Sequence, residues 1–363
     1  MSRIDTITIP RWFDRHVHLR EGEMLQLVLP YTLASKTMGA VVMPNLQTPI
    51  TVIAQAQHYK DQLWQSLGHT RVNYGSFQTV RTLYLTDTTT PEQVLCGFRM
   101  DYWQVVKLYL AGSGGTTNSG HGVHNLESRY PIFEMMEKYG IPLLGHWEWP
   151  DDTFRSTTIL EIEREIIAFE NLFLPIVTRF PNLKIVFEHV SDYRVAEWIP
   201  RGRYQVFGTV TPHHLMADDS MGKLDKGKGL GSLWKCMPCL KSAENRRRLC
   251  RAVTGDLNGR FGAGTDSAPH TMTAKREKNT SGLFTAPCAV QAYATVFDRY
   301  NALDKRFEGF MSRNFLDVYG LTPSQETMTL VCQSFLVPET IGQGELTVPV
   351  FWGSKELPWS LAE

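Results

Sequence analysis

The sequence predicts an α/β protein, a (β/α)8 barrel of the TIM type with a C-terminal extension packed on it. Three observations lead there. Eight short β-rich runs recur along the chain with helix-length segments between them, the alternation expected of βαβ units around a parallel sheet. Several runs are continuously apolar (AVVMPN, QVVKLY, IPLLGH, KIVFEH), as strands covered on both faces must be. Nearly every run ends in a residue capable of chemistry, and a barrel gathers its strand ends at one C-terminal mouth.

Taken in order, the runs cover 13–18, 40–45, 71–77, 103–109, 141–146, 184–189, 204–211 and 260–266. Segments such as 24–38 and 159–178 have the length of crossover helices. Most runs carry a polar group at or near their end: His16 with His18, Asn45, Lys107, His146, His189, Thr211 and Asp266. A lone buried histidine is usually a hydrogen-bonded core residue, but so many such ends together predict a convergent site. Residues 111–120, AGSGGTTNSG, follow Lys107 and have the glycine and small polar content of a mobile lid. From about residue 330 the chain becomes rich in Pro, Gly and aromatics. We read 330–363 as an extension that covers the barrel surface with Trp352 and Trp359, and 1–363 as one domain.

The 37 basic and 37 acidic side chains cancel to zero formal net charge, which argues against a nucleic-acid or membrane-surface partner. With 42% hydrophobic residues the 363-residue chain can bury a large core. No apolar run approaches the roughly 18 residues of a membrane span, and the start MSRIDTITIPRWFD has no positive-then-apolar signal pattern. A cytoplasmic protein is expected. Cys96, Cys236, Cys239, Cys250, Cys288 and Cys332 are too sparse for a disulfide scaffold. The C-x-x-C at Cys236 and Cys239 has neither a second such pair nor an H-x-x-x-H partner, so it reads as coincidence.

His16 and His18 stand at i, i+2, which on an extended strand points both imidazoles to one face. One metal can bind both. A catalytic zinc takes nitrogen and carboxylate ligands and keeps an open position, and His146, His189 and Asp266 are the further candidates. Four histidines and a carboxylate exceed what one tetrahedral catalytic zinc needs, which suggests two metals and a bridging ligand. Lys107, in the apolar run QVVKLY, would be repelled by divalent cations. It points elsewhere, or is neutral, or has become an anion; a neutral amine reacts with carbon dioxide to give a carbamate. Asp266 also opens DSAPH, a place suited to a helix N-cap.

The strings FDRHVHLRE, VVMPN, VKLY, TTNSGHGV, LLGH, VFEH, TPHHLM and GTDSAPH together resemble the dihydroorotase family, more narrowly its bacterial-type, class II branch within the amidohydrolase superfamily. The resemblance implies a barrel with a binuclear zinc centre that interconverts L-dihydroorotate and N-carbamoyl-L-aspartate in pyrimidine synthesis. It places His16, His18 and Asp266 on one zinc and His146 and His189 on the other, with carboxylated Lys107 and a hydroxide bridging them. Asp266 is then the general acid and base. It further implies that His18, Arg20, Asn45, His146, His270, the Met237 main chain and Ser281 meet the substrate, that Thr116 and Thr117 belong to the lid, and that the protein is a homodimer. Hydantoinase- or allantoinase-type rings are the alternative substrates, and an inactive scaffold barrel is the alternative of another class. All six metal-ligand positions are occupied by ligating residue types, and Arg20, Asn45 and His270 favour a carboxylate-bearing ring.

Overall fold

The computed structural model describes residues 4–70, 76–112, 118–150, 159–223 and 231–362. Strand β1 (Thr6–Pro10) stands outside the barrel. The barrel is β2 (Phe13–Val17), β3 (Gly39–Val42), β4 (Gln78–Tyr84), β5 (Val105–Tyr109), β6 (Leu143–His146), β7 (Ile185–Phe187), β8 (Val206–Val210) and β9 (Phe261–Ala263). These eight strands pair in parallel and in chain order. Beyond their last residues β2 and β9 approach each other: Val17 bridges Ser267 in parallel, the Asp266 N–H donates to the His16 carbonyl at 2.9 Å, and the His18 N–H donates to Ser267 at 3.0 Å. Closure therefore happens among the residues that end in the site.

Register places the chemistry. Lys107 pairs with Leu144 and Tyr109 with His146, so the lysine lies two residues deeper in the barrel than the β6 histidine. Parallel strands buried on both faces tolerate few polar side chains, and Lys107 sits in a strand in which every residue is buried.

One strand differs from expectation. The third barrel strand is Gln78–Tyr84, not 71–77; residues 71–75 of that run lie outside the described residues. The run RVNYGSF has the β-branched and aromatic content of a strand, but its Gly-Ser pair is of turn-favouring residue types. The real strand hid its signal behind Gln78, Thr79 and Arg81, which cover its outer start; Arg81 reaches the Asp101 carboxylate at 3.0 Å. The expected helices are present with shifted ends. Helix Gly22–Ala34 fills the first segment, and 159–178 is broken into Arg164–Ala168, a π-turn over Phe169–Phe173, and Leu174–Arg179.

The floor of the barrel is apolar. Phe13, Val41, Val80, Val105, Leu144 and Val186 from the strands meet Phe315, Leu316 and Tyr319. The extension begins at β10 (Thr327–Val331), which pairs antiparallel with β1 on one side and with Ser360–Leu361 on the other. Trp359 is fully buried and its indole donates to Asp298 at 3.2 Å, so it is core, whereas Trp352 is partly exposed. Among the described residues no helix is long and apolar enough to cross a membrane. All six cysteines are free thiols.

Candidate metal centre

Two groups of ligand atoms face each other across the mouth. On the β2–β9 side, the Nε2 atoms of His16 and His18 are 3.3 Å apart. Asp266 Oδ1 lies 3.3 Å from the first and 3.0 Å from the second. On the β6–β7 side, His146 Nδ1 and His189 Nε2 are 2.9 Å apart. The His16 and His189 rings stand 5.2 Å apart, centroid to centroid, so the groups adjoin. Lys107, wholly buried, touches the Glu188 carboxylate, and Glu188 Oε1 comes within 3.0 Å of His16 Nδ1.

The backbone bends sharply to make this arrangement. His189 and Asp266 follow their strands with φ of 42° and 45°, and Arg20 has φ 63°. This left-handed region is costly for side chains with a Cβ, and all three residues face the same mouth. Asp266 is therefore not a helix N-cap, as its sequence position suggested. Thr271 is the cap, its Oγ1 accepting from the Ala274 N–H at 3.2 Å before helix Met272–Glu277, and the Asp266 carboxylate is free to turn to the histidines.

Electrostatics follow from burial. Desolvation holds His16 and His189 well below the ordinary imidazole pKa. His18 is lowered less, because its hydrogen bond to Asp266 opposes burial. Burial also drives the Lys107 ammonium well below its usual range. The Glu188 contact favours the charged form, but both groups are fully enclosed and desolvation is the larger effect.

The residues fit a metal pair. Nitrogen faces nitrogen at 2.9–3.3 Å, close to the edge, about 3.3 Å, of a tetrahedron around an ion with ligands at about 2.0–2.1 Å. Among the described residues His189 Nδ1, Asn45 Oδ1 and the Tyr109 hydroxyl are buried with no hydrogen-bond partner. Such groups mark a place built for something besides protein.

Arg20, Asn45, Met237 and Ser281 line the same cavity as the four histidines and Asp266. Arg20 donates from Nη2 to His270 Nε2 at 3.0 Å and from Nε to the Pro269 carbonyl at 3.1 Å. His270 also hydrogen-bonds the Ser281 main chain, while burial and the Arg20 charge press its pKa to about 2. It is a neutral imidazole with both nitrogens engaged. Thr116 and Thr117 lie outside the described residues.

Three groups escaped sequence reasoning. Glu148 Oε2 accepts from His146 Nε2 at 2.8 Å, which leaves Nδ1 to face His189. Glu188 contacts Lys107 and His16, and Tyr109 stacks on Tyr84 at 5.0 Å beside the Lys107 nitrogen, 4.8 Å from its ring. Signals existed: Glu148 is two positions after His146, the same-face spacing of His16 and His18, and Glu188 is a carboxylate inside the apolar run KIVFEH.

No family model matches the chain. It is 38% identical to the dihydroorotase of Yersinia pestis over 98% of both chains. The structure of Saccharomyces cerevisiae dihydroorotase in complex with 5-fluoroorotic acid superposes with a TM-score of 0.87 at 27% identity, covering 99% of both chains. An L-hydantoinase from Arthrobacter aurescens, at 14% identity and a TM-score of 0.77 over 98% of this chain and 83% of its own, shares the fold.

Proposed function

The chain belongs to the dihydroorotase family, and from that premise we propose that it opens and re-closes the ring amide of L-dihydroorotate, with N-carbamoyl-L-aspartate as the open form, in de novo pyrimidine synthesis. It is a metal-dependent cyclic amidohydrolase. The observation that carries the substrate reading is the meeting of His16, His18 and Asp266 with His146 and His189 over buried Lys107, with Arg20 on the rim of the same cavity.

In this reading His16, His18 and Asp266 would hold one zinc and His146 and His189 the other, and Lys107 would supply a shared ligand. Its neutral amine adds to carbon dioxide and loses a proton, giving a carbamate with two oxygens; burial that disfavours the ammonium supports this. Bound metal supplies a water acidic enough to ionise near neutral pH and a Lewis acid for the ring carbonyl.

The chain's own residues do the rest. Ring opening adds hydroxyl to the carbonyl carbon and a proton to the departing ring nitrogen. Asp266 takes up that proton at its carboxylate and returns it to the nitrogen, and closure runs the same transfer backwards. Arg20 presents its guanidinium to the substrate carboxylate. His270 keeps that fork oriented, because its Nε2 accepts from Arg20. Asn45, whose Oδ1 is buried without a partner, adds a hydrogen bond; the main chain at Met237 and the Ser281 region meet the ring, His18 and His146 border it, and Thr116 and Thr117 belong to the lid. We assign the working form to a homodimer, the state the family resemblance implies, and place it in the cytoplasm.

The deciding experiment is the initial rate of ring opening of L-dihydroorotate by zinc-loaded protein, run beside hydantoin and allantoin and repeated after chelation. Chelator-sensitive turnover of dihydroorotate alone is the expected result. Turnover of another ring instead would keep the metals and discard the roles of Arg20, Asn45 and His270, and full activity after metal removal would discard the metal mechanism.

A further inference from the structure

Behind the loop that carries Met237 lies a second set of metal-binding side chains that the reaction does not use. Helix Pro212–Met216 follows β8 and contributes His213 and His214; the segment entering Met237 contributes Cys236. The ligand atoms of these three residues all lie within 4.8 Å of one another, and all three residues are buried. Cys236 Sγ is 3.9 Å from His214 Nε2. The Pro238 carbonyl oxygen is 2.9 Å from the same nitrogen and 3.3 Å from the sulfur. The edges of a tetrahedron with nitrogen at about 2.0–2.1 Å and sulfur at about 2.3 Å are about 3.3–3.6 Å, so Cys236 and His214 need to move by a few tenths of an ångström and His213, within 4.8 Å of both, by up to about 1.5 Å to close the set.

His213 is the independent sign that something is bound here. It is fully buried, and among the described residues neither ring nitrogen has a hydrogen-bond partner, a condition that buried imidazoles rarely keep. His214 is oriented by Thr211, whose Oγ1 stands 2.9 Å from Nδ1, the outer bond that ligating histidines characteristically make. Burial keeps both imidazoles neutral, the form that ligates. Burial holds the Cys236 thiol well above its ordinary range, so the thiolate waits for a bound cation; the Lys275 ammonium, held by the carbonyls of Lys235, Thr280 and Gly282 at 3.0, 3.0 and 2.8 Å, is the nearby positive charge that opposes burial. A cavity of about 400 Å³ with Glu161, Asp219 and Cys239 on its wall reaches Cys236 and offers a way in.

We propose that His213, His214 and Cys236, with the Pro238 carbonyl as fourth ligand, form a further metal site for a thiophilic cation of the zinc class. On binding, the Cys236 thiol releases its proton to solvent, and the His214 proton moves to Nδ1 and is donated to Thr211. The ion then ties the helix that follows β8 to the loop that presents the Met237 main chain. Sulfur sets it apart from the mouth, whose side-chain ligands are nitrogen and oxygen only. The consequence for Met237 rests on the substrate reading above; the site itself does not.

Cobalt(II) reloading of metal-stripped protein tests this directly. A cobalt thiolate has an intense near-ultraviolet charge-transfer band, and a nitrogen and oxygen site has none. The expected result is that band, growing with one equivalent of cobalt beyond those bound at the mouth, its loss in Cys236→Ser, and weaker binding of that equivalent in His213→Gln. Cobalt protein that turns over dihydroorotate yet shows no charge-transfer band would overturn the site while sparing the catalytic reading. A band without turnover would do the reverse. If Cys236→Ser does not fold, the wild-type spectrum and its cobalt stoichiometry still decide.

Discussion

The mouth and the floor of this barrel solve the problem of buried charge in opposite ways. At the floor, Arg15 is fully enclosed, yet its Nη1 donates to the carbonyls of Phe13, Phe310 and Met311 at 3.1–3.2 Å and its Nη2 to Asn314 at 2.7 Å. Its guanidinium lies 4.9 Å over the Phe315 ring. Burial lowers its pKa only to about 10, so it remains charged. Gly262 on β9 permits the approach, since a Cβ there would come within 2.6 Å of Arg15 Nε. At the mouth, Lys107 is as deeply buried; among the described residues its acceptor is the Glu188 carboxylate and no backbone carbonyl, and burial pushes the ammonium well below its ordinary range. The contrast teaches that a buried cation held by four backbone carbonyls belongs to the scaffold, whereas one that burial drives toward its neutral form is available for chemistry.

Substitutions should break this contrast unequally. Lys107→Ala is expected to lower kcat on the order of 10⁴-fold or more, because bridge and metal are lost together; metal content by elemental analysis and the dihydroorotate rate check it, and a metal-replete active variant would contradict the bridge. Arg20→Met should raise KM about 10- to 100-fold, the value of one charge-assisted contact, with kcat less affected; steady-state kinetics decide. Glu148→Gln should weaken metal binding about 10- to 100-fold through misorientation of His146, visible as a shifted chelator titration with the fold unchanged by circular dichroism.

The mouth also has a pH signature. Because His16 and His189 are held below the ordinary value of 6.5, they stay neutral as pH falls through it, and protons compete with metal only at lower pH. Metal retention at about pH 6 is therefore the expected outcome of dialysis followed by elemental analysis, and half-loss already near 6.5 would contradict it. The smallest effect on catalysis is expected at the floor. Phe315→Ala, which removes a ring stacked 5.0 Å from Phe207, should cost about 3–5 kcal/mol of stability in denaturant unfolding and leave KM unchanged.

Most of this contrast was legible in the sequence, for a physical reason. A barrel forces strand ends together, so histidines and carboxylates at the ends of apolar runs announce a site without any knowledge of distances. His16, His18, His146, His189 and Asp266 were found in that way. What the pattern did not carry was anything set by three-dimensional turns. The added reading of Asp266 as a helix cap failed because its left-handed backbone is invisible in DSAPH, and β4 was displaced because Gln78, Thr79 and Arg81 break up its apolar start. Glu148 and Glu188 were overlooked although a carboxylate in a buried run needs a partner. His213 and Cys236 are far apart in sequence, and a search for paired C-x-x-C motifs passes over ligands that a helix and a distant loop bring together.

The pairing of β1 with β10 has a consequence for the making of the protein. Thr6 waits for Val331, and β2 waits for the segment after β9. At about 5–20 residues per second, synthesis of the intervening chain takes tens of seconds. During that time the first strands leave the ribosome with an unpaired edge, a template for association between nascent chains. The short length of β2 and the proline that ends β1 limit that edge. Chaperone dependence during synthesis, more than final stability, is where the circular closure of this fold makes its demand.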